Sequence, residues 1–275
     1  MPQQHFLKKI SYNPWVVKLV SFLHLRNISR KIYFYFTHPE NNILDVAISE
    51  LSAKFYVYTP DELRLVESVT GDEGEKKVME SFLSFIKNDD IIYDVGANMG
   101  TYSVLLAKKT GSTGKVIAFE PEQESYNIFI KNIALNGLQN IIVVKKALGK
   151  ENGQAQLYIG KTTGNFSLVK SYEENLDAQT IEIVHGDEFV VKNNLPIPRA
   201  VKIDVEGYEY NVLTGLKETL SNALCKIICC EIHPGLFPDG ILEKDILTFI
   251  KSLGFSNVEV FKRGFSAYHI IATKP

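Results

Sequence analysis

The sequence predicts an α/β fold, a mostly parallel and doubly wound sheet of seven strands closed by an antiparallel hairpin. Three observations predict it. Apolar runs of strand length alternate with helical patterns from residue 91 onward. A glycine turn follows the first run, in Ile91-Ile-Tyr-Asp-Val-Gly-Ala-Asn-Met-Gly100, and a carboxylate ends the second, in Val116-Ile-Ala-Phe-Glu-Pro121. The last two strands, 256–262 and 267–273, are joined by Arg263-Gly-Phe-Ser266, too short for a parallel crossover and right for a hairpin.

The chain starts as a distinct unit. Residues 1–39 contain Lys8, Lys9, Lys18, Arg26, Arg30 and Lys31 and no acid, so they carry +6 and the remainder −8, for a net charge of −2. That balance gives no overall pull toward nucleic acid, and no nucleic-acid partner is expected. No apolar run approaches the roughly 18 residues of a membrane span, and no small-residue cleavage site is present, so a cytoplasmic protein is expected. Trp15, Val16, Leu19, Val20, Leu23 and Leu25, with Lys18 and Arg26 among them and Tyr33-Phe-Tyr-Phe36 after, form a basic amphipathic pattern. It suits peripheral contact with a membrane surface, and suits better a helix packed on the main domain or on a second subunit. Residues 43–58 alternate as two short strands turning near Glu50, and helices follow over about 61–69 and 74–87, with a break at Thr70-Gly-Asp-Glu-Gly74. The expected division is an extension over 1–72 and a main domain over 73–275, with a β-rich insert at about 150–199. Glu75, at the start of the second helix, is a contact candidate if that helix closes over the cofactor, but reads better as an exposed helix carboxylate.

Within the main domain, a helix over 102–109 links the first two strands, and right-handed crossover sets them side by side. Gly96 allows the sharp turn, and Gly100 is expected to let a ligand approach the main chain. Glu120, about twenty residues beyond the turn, stands where an acid takes both hydroxyls of a ribose. A pyrophosphate-binding turn would read Gly-x-Gly-x-x-Gly, but Asn98 replaces the middle glycine and Asp94 precedes the turn. A carboxylate there repels a pyrophosphate and suits a sulfonium and an ammonium, so the ligand indicated is S-adenosyl-L-methionine. Asp94, Gly96, Ala97, Asn98 and Gly100 are expected around its methionine part, with Tyr102 and Ser103 near the carboxylate. Glu120 is expected on the ribose and the Ala147 backbone on the adenine.

Helix 122–135, strand 140–145, strand 200–205, helix 208–220, strand 226–232 and helix 241–253 continue the alternation and bring the core strands to seven. With the closing hairpin this is the form of the class I methyltransferase, Rossmann-like fold. The insert has strand-like segments at 153–159 and 179–184 around Thr162-Thr-Gly-Asn-Phe-Ser167. It is expected to form a lid whose Asn165, Phe166 and Ser167 could read a sugar.

At these residues the chain resembles the FkbM-type S-adenosylmethionine-dependent methyltransferases. The resemblance rests on Asp94-Val-Gly-Ala-Asn-Met-Gly100 with Ser103, and on Ala118-Phe-Glu-Pro121. It extends to Asn132-Ile-Ala-Leu-Asn136 with Asn140, Lys146-Ala-Leu148, Lys202-Ile-Asp-Val-Glu-Gly-Tyr-Glu209 and Glu231-Ile-His233. It implies O-methylation of a hydroxyl on a sugar, a glycoside or another secondary metabolite. One departure is Gly186-Asp187, where the family often has a Leu-Asp pair before the fourth strand.

The fourth strand carries its own signal. Val201, Ile203 and Val205 alternate with Lys202, Asp204 and Glu206, and three charges on a central strand are costly unless they line a crevice at its carboxyl end. An alcohol needs a proton acceptor as the new bond forms, and Asp204 is the first candidate. His233 is the second, sharing a face with Glu231 and expected near Asp204 and Glu206. These four also have the composition of a divalent metal site, but no helix places two of them at i and i+4, and no metal is expected. Cys225, Cys229 and Cys230 read as reduced core residues, since adjacent strand positions point to opposite faces. Two other classes compete: a nucleic-acid methyltransferase, which would want a basic groove, and a scaffold that binds the cofactor without turnover.

Overall fold

The computed structural model describes residues 26–71, 75–159, 166–167, 177–237, 240–263 and 267–275. The expected helix over 15–25, the break at 72–74 with the domain boundary in it, and the loop residues 162–165 lie outside the described residues. Helix α1 (Arg26–Thr37) precedes a hairpin of β1 (Ile43–Ile48) and β2 (Leu51–Tyr56), which turns at Ser49 and Glu50 as the alternation predicts. Helix α2 (Pro60–Thr70) begins on a reciprocal cap: the Thr59 hydroxyl accepts the Glu62 amide, and the Glu62 carboxylate accepts the Thr59 amide. Pro60 takes the first helical position, where no N–H is needed. Helix α3 (Lys76–Phe85) then leads to the sheet.

The core elements follow as β3 (Ile91–Val95), α4 (Thr101–Thr110), β4 (Lys115–Phe119), α5 (Gln123–Leu135) and β5 (Ile141–Val144). An insert of β6 (Ala147–Gly149), β7 (Gly153–Ile159), β8 (Phe166–Ser167) and β9 (Asp177–His185) comes next, then α6 (Gly186–Lys192). The chain ends with β10 (Ala200–Ile203), α7 (Glu209–Gly215), α8 (Lys217–Ser221), β11 (Ile227–Ile232), α9 (Glu243–Ser252), β12 (Asn257–Arg263) and β13 (Ala267–Thr273). The central sheet has the order β12-β13-β11-β10-β3-β4-β5. The pairs among β11, β10, β3, β4 and β5 are parallel, and β13 runs antiparallel to both β11 and β12. The insert forms a second sheet, β6-β9-β7-β8.

Strand alternation divides the core into two layers. Ile92, Val116, Ala200 and Cys229 face one cluster and Tyr93, Ile117, Val201 and Cys230 the other, so neighbouring cysteines do point apart. Phe55, Val57, Leu63 and Val66 of the β1–β2 hairpin and α2 are buried in the first cluster, each worth about 1.5–3 kcal/mol of transfer free energy. Residues 43–70 thus share a core with the sheet. Polar ties reinforce this packing: Asn132 accepts the Tyr56 amide and donates to the Met99 carbonyl, while Asn136 accepts the Lys54 amide and donates to its carbonyl. Asn140 donates to the Ala107 and Gly111 carbonyls that end α4. The asparagines that carried the family resemblance therefore hold the fold together.

Three expectations need correction. The strand expected over 200–205 stops at Ile203, because Glu206 (φ 48°) and Gly207 (φ 98°) enter the left-handed region and turn the chain. The helix expected over 208–220 is two helices. A Cβ at Gly215 would sit 1.9 Å from the Gly149 carbonyl oxygen, and the Asp187 carboxylate accepts the Glu218 and Thr219 amides at 2.8 and 2.9 Å, capping a separate α8. The Gly186-Asp187 departure is thereby a packing feature, since a Cβ at Gly186 would lie 2.7 Å from Leu216. Finally, the β-rich insert expected from about 150 begins earlier, since Ala147 to Gly149 pair with Ile183 to His185 as a strand.

Candidate functional site

A cavity of about 530 Å³ opens at the carboxyl ends of β3, β4, β10 and β11, where a parallel sheet leaves a crevice. Its first end is built on the turn after β3. Gly96 (φ 76°) and Ala97 both donate their amides to the Phe119 carbonyl, at 3.0 and 3.1 Å, tying the turn to β4. A Cβ on Gly96 would lie 1.8 Å from the Asp204 carbonyl oxygen, so the missing side chain makes room for the backbone that leaves β10. Gly100 (φ 84°) corrects the expectation placed on it: its missing Cβ leaves room for the Phe129 ring of α5, 2.1 Å from the Cβ position.

Glu120 receives the Asn98 amide on one oxygen at 2.7 Å and the Glu122 amide on the other at 2.8 Å. Burial raises its pKa to about 7, more than those amides lower it. Phe119, Leu148, Leu157 and Ile181 line an apolar wall beside it, three of them from the insert. Each of the two oxygens keeps acceptor capacity for a diol, and the wall suits a flat heterocycle.

Lys202 links this end to the next. Its ammonium donates to the Gly96 carbonyl at 2.9 Å, lies 3.4 Å from Asp94 and 3.5 Å from Asp204, and stands 5.1 Å from the centre of the Tyr102 ring. Register brings this about, since Lys202 is the cross-strand partner of Asp94. Burial would lower the lysine pKa, but the fields of Asp94 and Asp204 outweigh it and raise it. Burial likewise works against the ionised Asp204, and Lys202 and His233 more than offset that, holding its pKa down.

The second end gathers Asp204, Glu206, Glu231 and His233. His233 holds Glu209 at Nδ1 at 2.6 Å, while Nε2 faces Glu206 at 3.4 Å and Glu231 at 3.7 Å. Burial pushes the imidazole pKa down, but the Glu209 hydrogen bond and the charges of Asp204 and Glu206 prevail and raise it to about 10. Behind lies a second group: Tyr102 donates to Glu75 at 3.2 Å, and His269 Nε2 stands 3.4 Å from Glu231 and 3.7 Å from Glu75. Two triads, Asp204 with Glu206 and His233, and Glu75 with Glu231 and His269, have ligand atoms close enough to share a cation. In the first, both His233 nitrogens are already engaged by carboxylates.

Of the residues predicted for the cofactor, Gly96, Ala97, Asn98, Tyr102, Glu120, Ala147 and Asp204 line the cavity, and so do all four catalytic candidates. Asp94 does not reach it. Fully buried, it accepts Ser103 at 2.6 Å and faces Lys202, so Asp94 and Ser103 stand behind the turn and their charge is met by a lysine. Glu75, expected to be exposed, is buried and lines the cavity. Also missed were Lys202, Glu209 behind His233, and the α2 residues Arg64, Leu65, Ser68 and Val69. Lys202 had a signal in its charge on a central strand, and Glu209 had one in closing the motif that carries the family resemblance. All three cysteines are buried, and burial raises their thiol pKa values, which leaves them inert.

The sheet order, with β13 alone reversed, sets this fold apart from a dinucleotide-binding dehydrogenase, and the chain is an S-adenosylmethionine-dependent methyltransferase of the class I type. A model of the methyltransferase FkbM domain matches residues 94–256, well over half of the chain, and the protein belongs to that family. It is 28% identical over 194 residues to the hexuronic acid methyltransferase AglP of Haloferax volcanii, covering 70% of this chain and 76% of that one. Over 150 residues it is 27% identical to methyltransferase 1 of Beauveria bassiana, covering 48% of this chain and 60% of the other. A solved S-adenosylmethionine-dependent O-methyltransferase from Thermotoga maritima superposes with a TM-score of 0.46 at 16% identity, covering 90% and 81% of the two chains, a likeness too loose to bear on activity.

Proposed function

We propose that the protein methylates a hydroxyl of a sugar, a glycoside or another secondary metabolite. The observation that carries this reading is one continuous cavity with a diol-accepting glutamate and apolar wall at one end and Asp204, Glu206, Glu231 and His233 at the other. The Haloferax relative, named for a hexuronic acid, supports a saccharide acceptor. S-adenosylmethionine, when bound, supplies a methyl group on a sulfonium, which an oxygen can displace in line.

Glu120 takes the ribose hydroxyls through its remaining lone pairs, and Phe119, Leu148, Leu157 and Ile181 take the adenine. Asp204, kept ionised by Lys202, accepts a hydrogen bond from the acceptor hydroxyl and aims its oxygen, a positioning effect that supplies much of the rate. The low pKa of Asp204 makes it a poor base, so the proton goes to His233 Nε2 in the fraction of molecules where that nitrogen is free of one. Glu209 on Nδ1 fixes the tautomer that makes this possible. The O–C bond forms as the S–C bond breaks, and the hydroxyl proton ends on the imidazole.

A methyl-transfer screen over neutral sugars, uronic acids and glycosides, preceded by calorimetric titration with the cofactor and its demethylated product, tests the reading. Turnover on a hydroxyl is expected. Cofactor binding with no turnover on any hydroxyl, or robust turnover on an RNA, would overturn it.

A further inference from the structure

Helix α1 has two apolar faces, and only one is used. Tyr33 and Phe34 pack against the core, Tyr33 donating to the Glu67 carboxylate at 3.2 Å, and Arg30 pairs with Asp61 of α2 at 3.4 Å. The opposite face carries Ile28, Ile32, Tyr35 and Phe36, which are 55%, 52%, 80% and 58% exposed. At 3.6 residues per turn these four span an arc of about 100°. Other large apolar side chains exposed among the described residues, from Tyr58 to Val260, are scattered singly over separate elements. Isolated exposed residues need no explanation, whereas a stripe of four on one short helix does.

Charge selects the occupant. Residues 26–37 contain Arg26, Arg30 and Lys31 and no acid, and residues 1–39 together carry +6 in a chain that is net acidic. Two copies meeting through this helix would bring like charges together. A surface of anionic lipid offers the opposite sign beside an apolar layer, the two things matched by an exposed apolar stripe with Lys31 beside it in a segment that carries +6. No helix among the described residues is long and apolar enough to cross a membrane, and the contact considered is with the surface. We infer that α1 docks the protein on a membrane containing anionic lipid, through Ile28, Ile32, Tyr35 and Phe36 with Lys31 at the flank. The docked face lies one helix away from the cavity, since α2 contributes Arg64, Leu65, Ser68 and Val69 to its lining.

Sedimentation of the full chain with vesicles of phosphatidylcholine alone, or mixed with phosphatidylglycerol at 70:30, tests this. Binding is expected to the mixed vesicles and not to the neutral ones, weakening as salt is raised. The combined I28Q, I32Q, Y35Q and F36Q variant should bind at least tenfold less, with its methyl transfer to a soluble acceptor unchanged. Failure of the wild-type chain to bind the mixed vesicles, or equal binding by the variant, overturns the inference. So would light scattering that showed a dimer in the wild type and a monomer in the variant, which would make the stripe a contact between copies.

Discussion

At the end of the cavity proposed for the cofactor, the polar groups come from residues 95 to 122, through backbone amides and one carboxylate whose positions follow from a strand, a turn and the next strand. At the end proposed for the acceptor, the side chains converge from Glu75 before α3, from Asp204 and Glu206 after β10, and from Glu231 and His233 around β11. They are backed by Glu209 on α7 and His269 on β13. A site made of backbone next to itself in sequence is written locally. One made of converging side chains exists only once strand order and register are fixed.

The cofactor end should be the less forgiving to a change in shape. Gly96→Ala places a Cβ 1.8 Å from the Asp204 carbonyl oxygen in a left-handed turn, so a loss of more than about 4 kcal/mol on urea unfolding is expected, with cofactor binding abolished. A variant of near-wild-type stability would show that the two ends are not braced against each other at this glycine.

Lys202, where the ends meet, should come next. Lys202→Met leaves Asp94 and Asp204 facing each other's charge without their cation, and a loss of about 3–5 kcal/mol is expected. Adding Asp94→Asn to that variant should recover part of it. Additive losses in the double variant would mean that Lys202 does not compensate Asp94.

At the acceptor end the expected effects are on rate rather than fold. Because the His233 pKa is raised to about 10, the free base is scarce at neutral pH, and kcat should climb with pH toward about 10. His233→Asn should cost about a hundredfold or more and flatten the profile, while Glu209→Gln should move the rise to lower pH. A flat wild-type profile from pH 7 to 10 would assign the proton to a carboxylate. The raised pKa also has a sign for stability: the His233 ion pairs contribute fully below about pH 6.5, and their contribution is lost as the pH rises through about 10.

The same division explains what could be read from the sequence. The seven strands, the hairpin and the glycine turn were legible because each is a local pattern of apolar period and turn residues. Asp204, Glu206, Glu231 and His233 were legible as charges at strand ends. The pairing of Glu231 with His269 was not, because it depends on which residues of β11 and β13 stand opposite each other. Glu75 was legible only as the weaker of two readings, because it reaches the cavity through the docking of α3 beside the sheet. Asp94 misled for a related reason: its charge points toward a cofactor in the sequence, yet the register with β10 delivers Lys202 to it first. Gly100 looked like a ligand contact because a glycine shows only that space is needed, and here the Phe129 ring fills it.

The central claim is that the two ends have separate tasks, and calorimetric titration of S-adenosylmethionine into Glu120→Gln and Glu206→Gln tests it most directly. Glu120→Gln should weaken binding roughly ten- to a hundredfold, as expected for a lost hydrogen bond to a charged group. Wild-type affinity should fall as pH is lowered through about 7 and the Glu120 carboxylate takes up a proton. Glu206→Gln should bind the cofactor as the wild type does and transfer methyl more slowly. Undiminished affinity in Glu120→Gln, or a comparable loss in both variants, would contradict the account.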